Sequence, residues 1–194
     1  MLKKEIIWRE ILFQALEKNI HSFQQKELAE KFGFSLSTVF NALKTPREIK
    51  AIDVSGKGFK PADAEKLLML WATQRKFDKD IAYKTFVSEA PAKIESCMPP
   101  EIIWAAFSAY KFRFNESPSD YGRVYVYTDN LDEIKKRFPP KKGPENLFIL
   151  KPDARLKDYG PTGTLGQIFV DIWNTNEWYA KEFLERIKQK FKFI

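Results

Sequence analysis

Between residues 35 and 60 the chain sets out groups able to read and grip a nucleic acid. Ser35, Ser37, Thr38 and Asn41 carry hydroxyls and an amide that can bond base edges. Lys44, Arg47, Lys50, Lys57 and Lys60 follow, with cations suited to phosphate oxygens. Six Lys or Arg stand against two acids from residue 31 to residue 60, a local excess that favours a polyanionic partner over a neutral one.

Other chemistry is sparsely provided. His21 is the single histidine and sits just before Ser22, where a loop or DNA-proximal place fits it better than a general base. Cys97 has no second thiol and no histidine nearby in sequence, so neither a disulfide nor a zinc site is expected. Gly160-Pro161-Thr162-Gly163-Thr164-Leu165-Gly166 reads as a glycine-rich loop before a helix, yet it lacks the lysine of a phosphate loop, and capping by Thr162 or Thr164 accounts for it. Asp129 and Asp132 are spaced as a helix start, not as metal ligands on a strand. We therefore expect no cofactor, no metal and no catalytic residue, hence no enzyme.

The candidate base and phosphate contacts need a frame. Ser22 with Gln25 three residues on reads as a capping box, and Leu28, Ala29 and Phe32 give the helix after it one apolar face. Gly33 supplies the left-handed turn that stops this helix, and Ala29 is small enough for a close helix crossing. Ser35 can cap a second helix with Leu36, Val39, Ala42 and Leu43 inward and Ser37, Thr38, Asn41 and Lys44 outward. Upstream, Ile7, Trp8, Ile11, Leu12, Ala15 and Leu16 recur at helical spacing. Downstream, Ile49 to Val54 reads as a strand, Ser55-Gly56-Lys57-Gly58 as a hairpin tip and Phe59-Lys60 as a short return strand.

This order of helix, helix-turn-helix and two-stranded wing resembles the winged-helix family of transcriptional regulators over about residues 1–76. The resemblance implies double-stranded DNA as partner, with Ser35, Ser37, Thr38 and Asn41 at bases and Lys44, Arg47, Lys50, Lys57 and Lys60 at phosphates. Winged helices also serve purely as protein-docking modules, which stands as an alternative.

With 194 residues and 44% hydrophobic content the chain can build one large or two small cores. Its character changes near residue 80, and two domains are expected, 1–76 and 81–194. The net charge of +7 suits a polyanion or simple solubility. No stretch approaches 18 apolar residues and no signal-peptide core opens the chain, so a cytoplasmic protein without membrane contact is expected. Pro61 to Phe77 reads as a helix with Ala64, Leu67, Leu68 and Trp71 on one stripe and Met69 and Leu70 beside it. Either a second copy in a homodimer or the second domain can cover that extra surface.

Beyond residue 80 strands and helices mix, giving an α+β fold class. Thr85-Phe86-Val87 reads as a strand, Glu101 to Phe114 as an aromatic-rich helix, Arg123 to Tyr127 as a strand, and Asn130 with Glu133 as the cap of the next helix. Lys135 to Lys142 is a basic run around two prolines, Asn146 to Leu150 a further strand, and Leu165 to Phe191 helices broken near Asn174 to Asn176. The segments FSAYKFRF, VYVYTDN and GQIFVDIWNTNEWYAKEFLERI together resemble the C-terminal domain of abortive-infection type IV antitoxins. That resemblance implies a degenerate nucleotidyltransferase-like fold behind a winged helix, autoregulation, and a second domain that binds a partner protein or effector or self-associates. A divergent metal-dependent nucleotidyl or phosphoryl transferase is the enzymatic alternative, and it requires Asp129, Asp132, Glu133 and Asp171 to gather in space.

Overall fold

The computed structural model describes residues 1–56 and 58–191. The fold is α+β, and the chain divides into two compact units, Met1–Arg75 with the chain end from Gln189, and Lys76–Lys188.

In the first unit α1 (Lys3–Glu17) buries Ile7, Trp8, Ile11, Leu12 and Ala15 against α3 (Leu36–Glu48) and α4 (Ala64–Gln74). Between α1 and α3 lies α2 (Gln25–Phe32), ended by Gly33 at φ +65, the left-handed conformation that glycine adopts at least cost. This helix starts later than a Ser22 cap would place it. Phe23 is held extended by a two-way backbone bridge to Phe59, N–H to O in both directions at 2.9 Å, with the rings stacked at 5.4 Å. Gln24 thus takes the cap position without a side-chain bond.

β1 (Ile52–Ser55) and β2 (Gly58–Pro61) form an antiparallel hairpin with Asp53 opposite Lys60 and Val54 opposite Phe59. The first strand begins three residues after Ile49 because Ile49 and Lys50 close the end of α3, Lys50 in the left-handed region at φ +61. Gly58 is fixed by crowding: a Cβ there would lie 2.3 Å from the Phe23 carbonyl oxygen. Asp63 caps α4 by accepting from the Lys66 N–H at 2.8 Å, and that bond holds its carboxyl below the usual value.

A buried polar seam joins α1 to α4. The Glu5 carboxylate accepts from the Leu2 N–H at 2.7 Å and from the Trp71 indole at 3.3 Å, and lies 3.6 Å from the Arg75 guanidinium. Removing one side of such a pair leaves an uncompensated buried charge.

The second unit is built on a four-stranded sheet in the order β3 (Ile81–Thr85), β6 (Leu147–Leu150), β5 (Val124–Tyr127), β4 (Ile103–Ala105). β5 and β6 run parallel, linked through α7 (Leu131–Arg137), and both outer pairs are antiparallel. Every residue of β5 and β6 is buried. Both faces of this central pair are therefore covered, as in a parallel sheet. On one face Val124, Val126, Leu147 and Ile149 pack with Ile94 of α5 (Pro91–Ser96) and with Ile134 and Phe138. On the other, Tyr125 stacks on Phe148 at 4.8 Å and meets Phe107 of α6 (Ala106–Phe114). There Tyr127 donates to Asp171 of α8 (Leu165–Trp173) at 2.8 Å. α9 (Ala180–Lys190) brings Phe183 edge-on to Phe107.

Two elements differ from expectation. The β3 strand precedes Phe86, because the Asn146 side chain brackets Val87, accepting from its N–H and donating to its carbonyl, both at 2.8 Å, and so ends the ladder. Residues 101–114 are not one helix. Ile103–Ala105 pair with β5, and Ala106 at φ +47 turns the chain into α6.

Candidate nucleic-acid interface

α3 owes its place to its buried side. Val39, Ala42, Leu43 and Pro46 face inward, whereas Ser37, Asn41, Lys44, Arg47 and Glu48 are exposed and Thr38 is half-buried. Pro46 lies inside the helix and lacks the N–H that would serve the Ala42 carbonyl one turn back. That carbonyl is bonded all the same: the Trp8 indole donates to it at 2.8 Å, so a proline tolerated in α3 and a tryptophan in α1 form one device.

At the N-terminus of α3 the Ser35 hydroxyl accepts from the Thr38 N–H at 3.2 Å and lies 2.9 Å from the hydroxyls of both Ser37 and Thr38. Three of the residues nominated for base contact thus form one polar cluster, and Asn41 follows one turn later on the exposed side. Lys44 extends over the Phe40 ring, 5.4 Å from its centroid. Among the described residues no carboxylate pairs with Lys44, Arg47 or Lys50, and all three are exposed. Lys60, on β2, sits 4.0 Å from Asp53 across the hairpin, an exposed pair of little strength. Lys57 lies outside the described residues.

Leu36 does not point inward as its spacing suggested. It is 55% exposed, and Phe40 is 47% exposed. Both lie on the same side of the helix as Lys44, at i, i+4 and i+8. On a helical projection Phe40 falls well off the arc set by Val39, Ala42, Leu43 and Pro46, so spacing alone places it outward.

No protein-family model, no curated protein and no solved structure matches the chain.

The second unit gathers a different set. A cavity of about 750 Å³ opens at the carboxyl ends of the parallel pair β5 and β6, lined by Thr128, Asp129, Asn130, Asp153, Lys157 and Gly160 among others. It brings Asp129 together with the start of the glycine-rich loop, whose Thr164 hydroxyl caps α8 by accepting from the Gln167 N–H at 3.0 Å. The other acids named with Asp129 do not join it. Asp171 is buried and accepts from Tyr127 and Gln167, Asp132 is exposed, and Glu133 takes Arg137 at 2.8 Å. Among the described residues no three His, Cys, Asp or Glu side chains form a metal-holding group.

His21 lies 3.0 Å from the Asn19 side chain, and Cys97 is a free, half-buried thiol. In the basic run, Arg137 also donates to the Cys97 carbonyl at 3.0 Å, and the double-proline turn is tied down by Tyr83 to the Phe138 carbonyl and Thr85 to the Pro139 carbonyl. Phe107 and Tyr110 are core residues, and Trp104 meets Phe112 with ring centroids 4.5 Å apart at a tilt of 33°. Among the described residues no helix is long and apolar enough to cross a membrane.

Proposed function

We propose that the first unit is a winged helix that binds double-stranded DNA with sequence preference, and that the protein is a transcriptional regulator of antitoxin-like type working in the cytoplasm without catalysis. In this reading α3 lies in the major groove with Ser35, Ser37, Thr38 and Asn41 toward base edges. Lys44, Arg47, Lys50 and Lys60 reach phosphates, as does Lys57 on the strength of its place in the sequence. The observation that carries the reading is the exposed side of α3 and its end, which present hydroxyls, an amide and the cations Lys44, Arg47 and, just past the helix, Lys50, none of them paired with a carboxylate among the described residues. A helix packed on both sides inside a core would not keep that composition at its surface. The second unit, on the antitoxin resemblance, serves a partner protein, an effector or self-association as a homodimer.

The test is selection of bound duplexes from a random pool at two salt concentrations, with Asn41→Ala alongside. A recovered motif that blurs at one position in the variant, by about 1 to 3 kcal/mol, supports base reading by Asn41. Retention of all sequences alike, without dependence on salt, refutes DNA binding and returns the protein-docking module.

A further inference from the structure

We propose that Leu36 and Phe40 are specificity residues that read the 5-methyl groups of two thymines, so that the DNA recognised by α3 carries T in adjacent or next-but-one positions. The proposal rests on the DNA-binding reading above and goes beyond it by naming the bases.

Leu36 and Phe40 are large apolar side chains about half exposed on the face of a helix whose other exposed residues are polar or charged. Leaving such surface in water forgoes roughly 25 cal/mol for each Å², a standing cost that an apolar partner would recover. In a major groove the thymine methyl is the apolar feature on offer. Both residues sit in the first two turns of α3, the part of a groove-reading helix that meets base edges, and both flank Ser37 and Asn41 in the chain. Four residues advance a helix by about 6 Å, and base pairs rise by about 3.4 Å. Two residues at i and i+4 therefore reach methyls one or two steps apart.

Charge decides against a second copy of this chain on the same face. A two-fold contact through Leu36 and Phe40 would gather Lys44 and Arg47 of both copies around one interface with Glu48 as the one acid of α3 in each, and no carboxylate pairs with either cation among the described residues. A polyanion meets both needs at once. The Lys44 ammonium, resting over the Phe40 ring at 5.4 Å, carries the same row from methyl to phosphate.

The experiment takes the duplex recovered by selection and replaces each thymine singly by deoxyuridine, which removes the methyl and leaves base pairing intact. Wild-type protein, Leu36→Ala and Phe40→Ala are titrated against each duplex. The expected result is an approximately fourfold loss at one or two positions for the wild type, the equivalent of about 0.8 kcal/mol per buried methyl. That discrimination should vanish at one position in Leu36→Ala and at the other in Phe40→Ala. Both side chains are exposed, so unchanged melting temperatures verify that the variants fold. A selected motif bound with full preference but indifferent to every deoxyuridine, or lacking thymine, overturns the thymine reading and leaves DNA binding standing. Absence of any selected motif overturns both. A fall in oligomeric mass in Phe40→Ala, together with indifference to deoxyuridine, overturns the proposal in favour of a second copy on this face.

Discussion

Replacing Trp8 by Phe should cost far more in the native background than in one where Pro46 has become Ala. The Ala42 carbonyl is buried in α3, and its usual donor, the N–H of residue 46, does not exist in proline. The Trp8 indole N–H fills the vacancy at 2.8 Å. Phenylalanine keeps an aromatic ring at the site but brings no donor, so the carbonyl is left dry, at a cost of about 1 to 3 kcal/mol, on top of a packing loss. In Pro46→Ala the restored N–H can serve the carbonyl within the helix, and Trp8→Phe then costs the packing loss alone. The packing part cancels in a double-mutant cycle, and the expected coupling is about 1 to 2 kcal/mol. Urea unfolding of the four proteins gives it directly, with equal denaturant slopes as the check that the unfolded states match. Coupling within about 0.3 kcal/mol of zero would refute the pairing of Trp8 with Pro46.

Lys50 sits at φ +61, where a lysine costs about 1 kcal/mol relative to glycine. Lys50→Gly should therefore stabilise the fold in thermal unfolding while weakening every duplex alike and lowering the salt slope by about one, and unchanged DNA affinity would remove Lys50 from the phosphate contacts. Asp63→Asn keeps the cap of α4 but not its charge. Because the folded carboxyl titrates below 3.8, its stabilisation is present above that value and lost as pH falls through the folded value. At neutral pH the variant should be less stable by roughly 0.5 kcal/mol, since the side chain is about a third exposed, and the difference should shrink as pH falls below 3.8. A constant difference across that range would mean that the charge adds nothing.

The helical stretches of the first unit were legible because apolar spacing and glycine are local signals. Gly33 stops α2, Ser35 caps α3 and Val39, Ala42 and Leu43 turn inward for reasons contained in a few neighbouring residues. Ser22 misled because its capping role was lost to a partner thirty-six residues away: Phe23 is drawn straight by Phe59, and no window around Ser22 contains that strand. Ile103–Ala105 fails in the same way, since three apolar residues leading straight into a helix become a strand only by pairing with β5. Within the candidate interface, Ser37, Asn41 and Lys44 could be read outward from spacing, while Leu36 could not. It is the first residue of α3, where the helix has no preceding turn to cover a side chain, and its apolar character alone says nothing about that. The Trp8 bond to Ala42 was out of reach for the opposite reason. Pro46 announces an unserved carbonyl, but which donor answers it depends on how α1 crosses α3.

The segment from Ala42 to Ala51 explains how the exposed side of α3 and the hairpin are held in one register. The regular bonding of α3 closes with the Ile49 N–H on the Thr45 carbonyl at 3.1 Å, and past it the Pro46 carbonyl accepts from the Ala51 N–H at 2.8 Å while the Arg47 carbonyl accepts from the Lys50 N–H at 3.1 Å. The left-handed Lys50 is the pivot that makes both bonds reachable. Ala51 then uses its carbonyl to take the N–H groups of Ala62 at 2.9 Å and Asp63 at 3.1 Å, the residues at which the hairpin returns and α4 is capped. Helix end, hairpin exit and next helix start therefore meet at one buried alanine. Displacing α3 by a turn would have to break all of these bonds together. Cations on the helix at Lys44 and Arg47 and on the hairpin at Lys60 are thus carried by one stiff frame. On the DNA-binding proposal, that frame would give a set of otherwise ordinary surface charges a fixed spacing against a regular array of phosphates, and would keep the entropic cost of binding low.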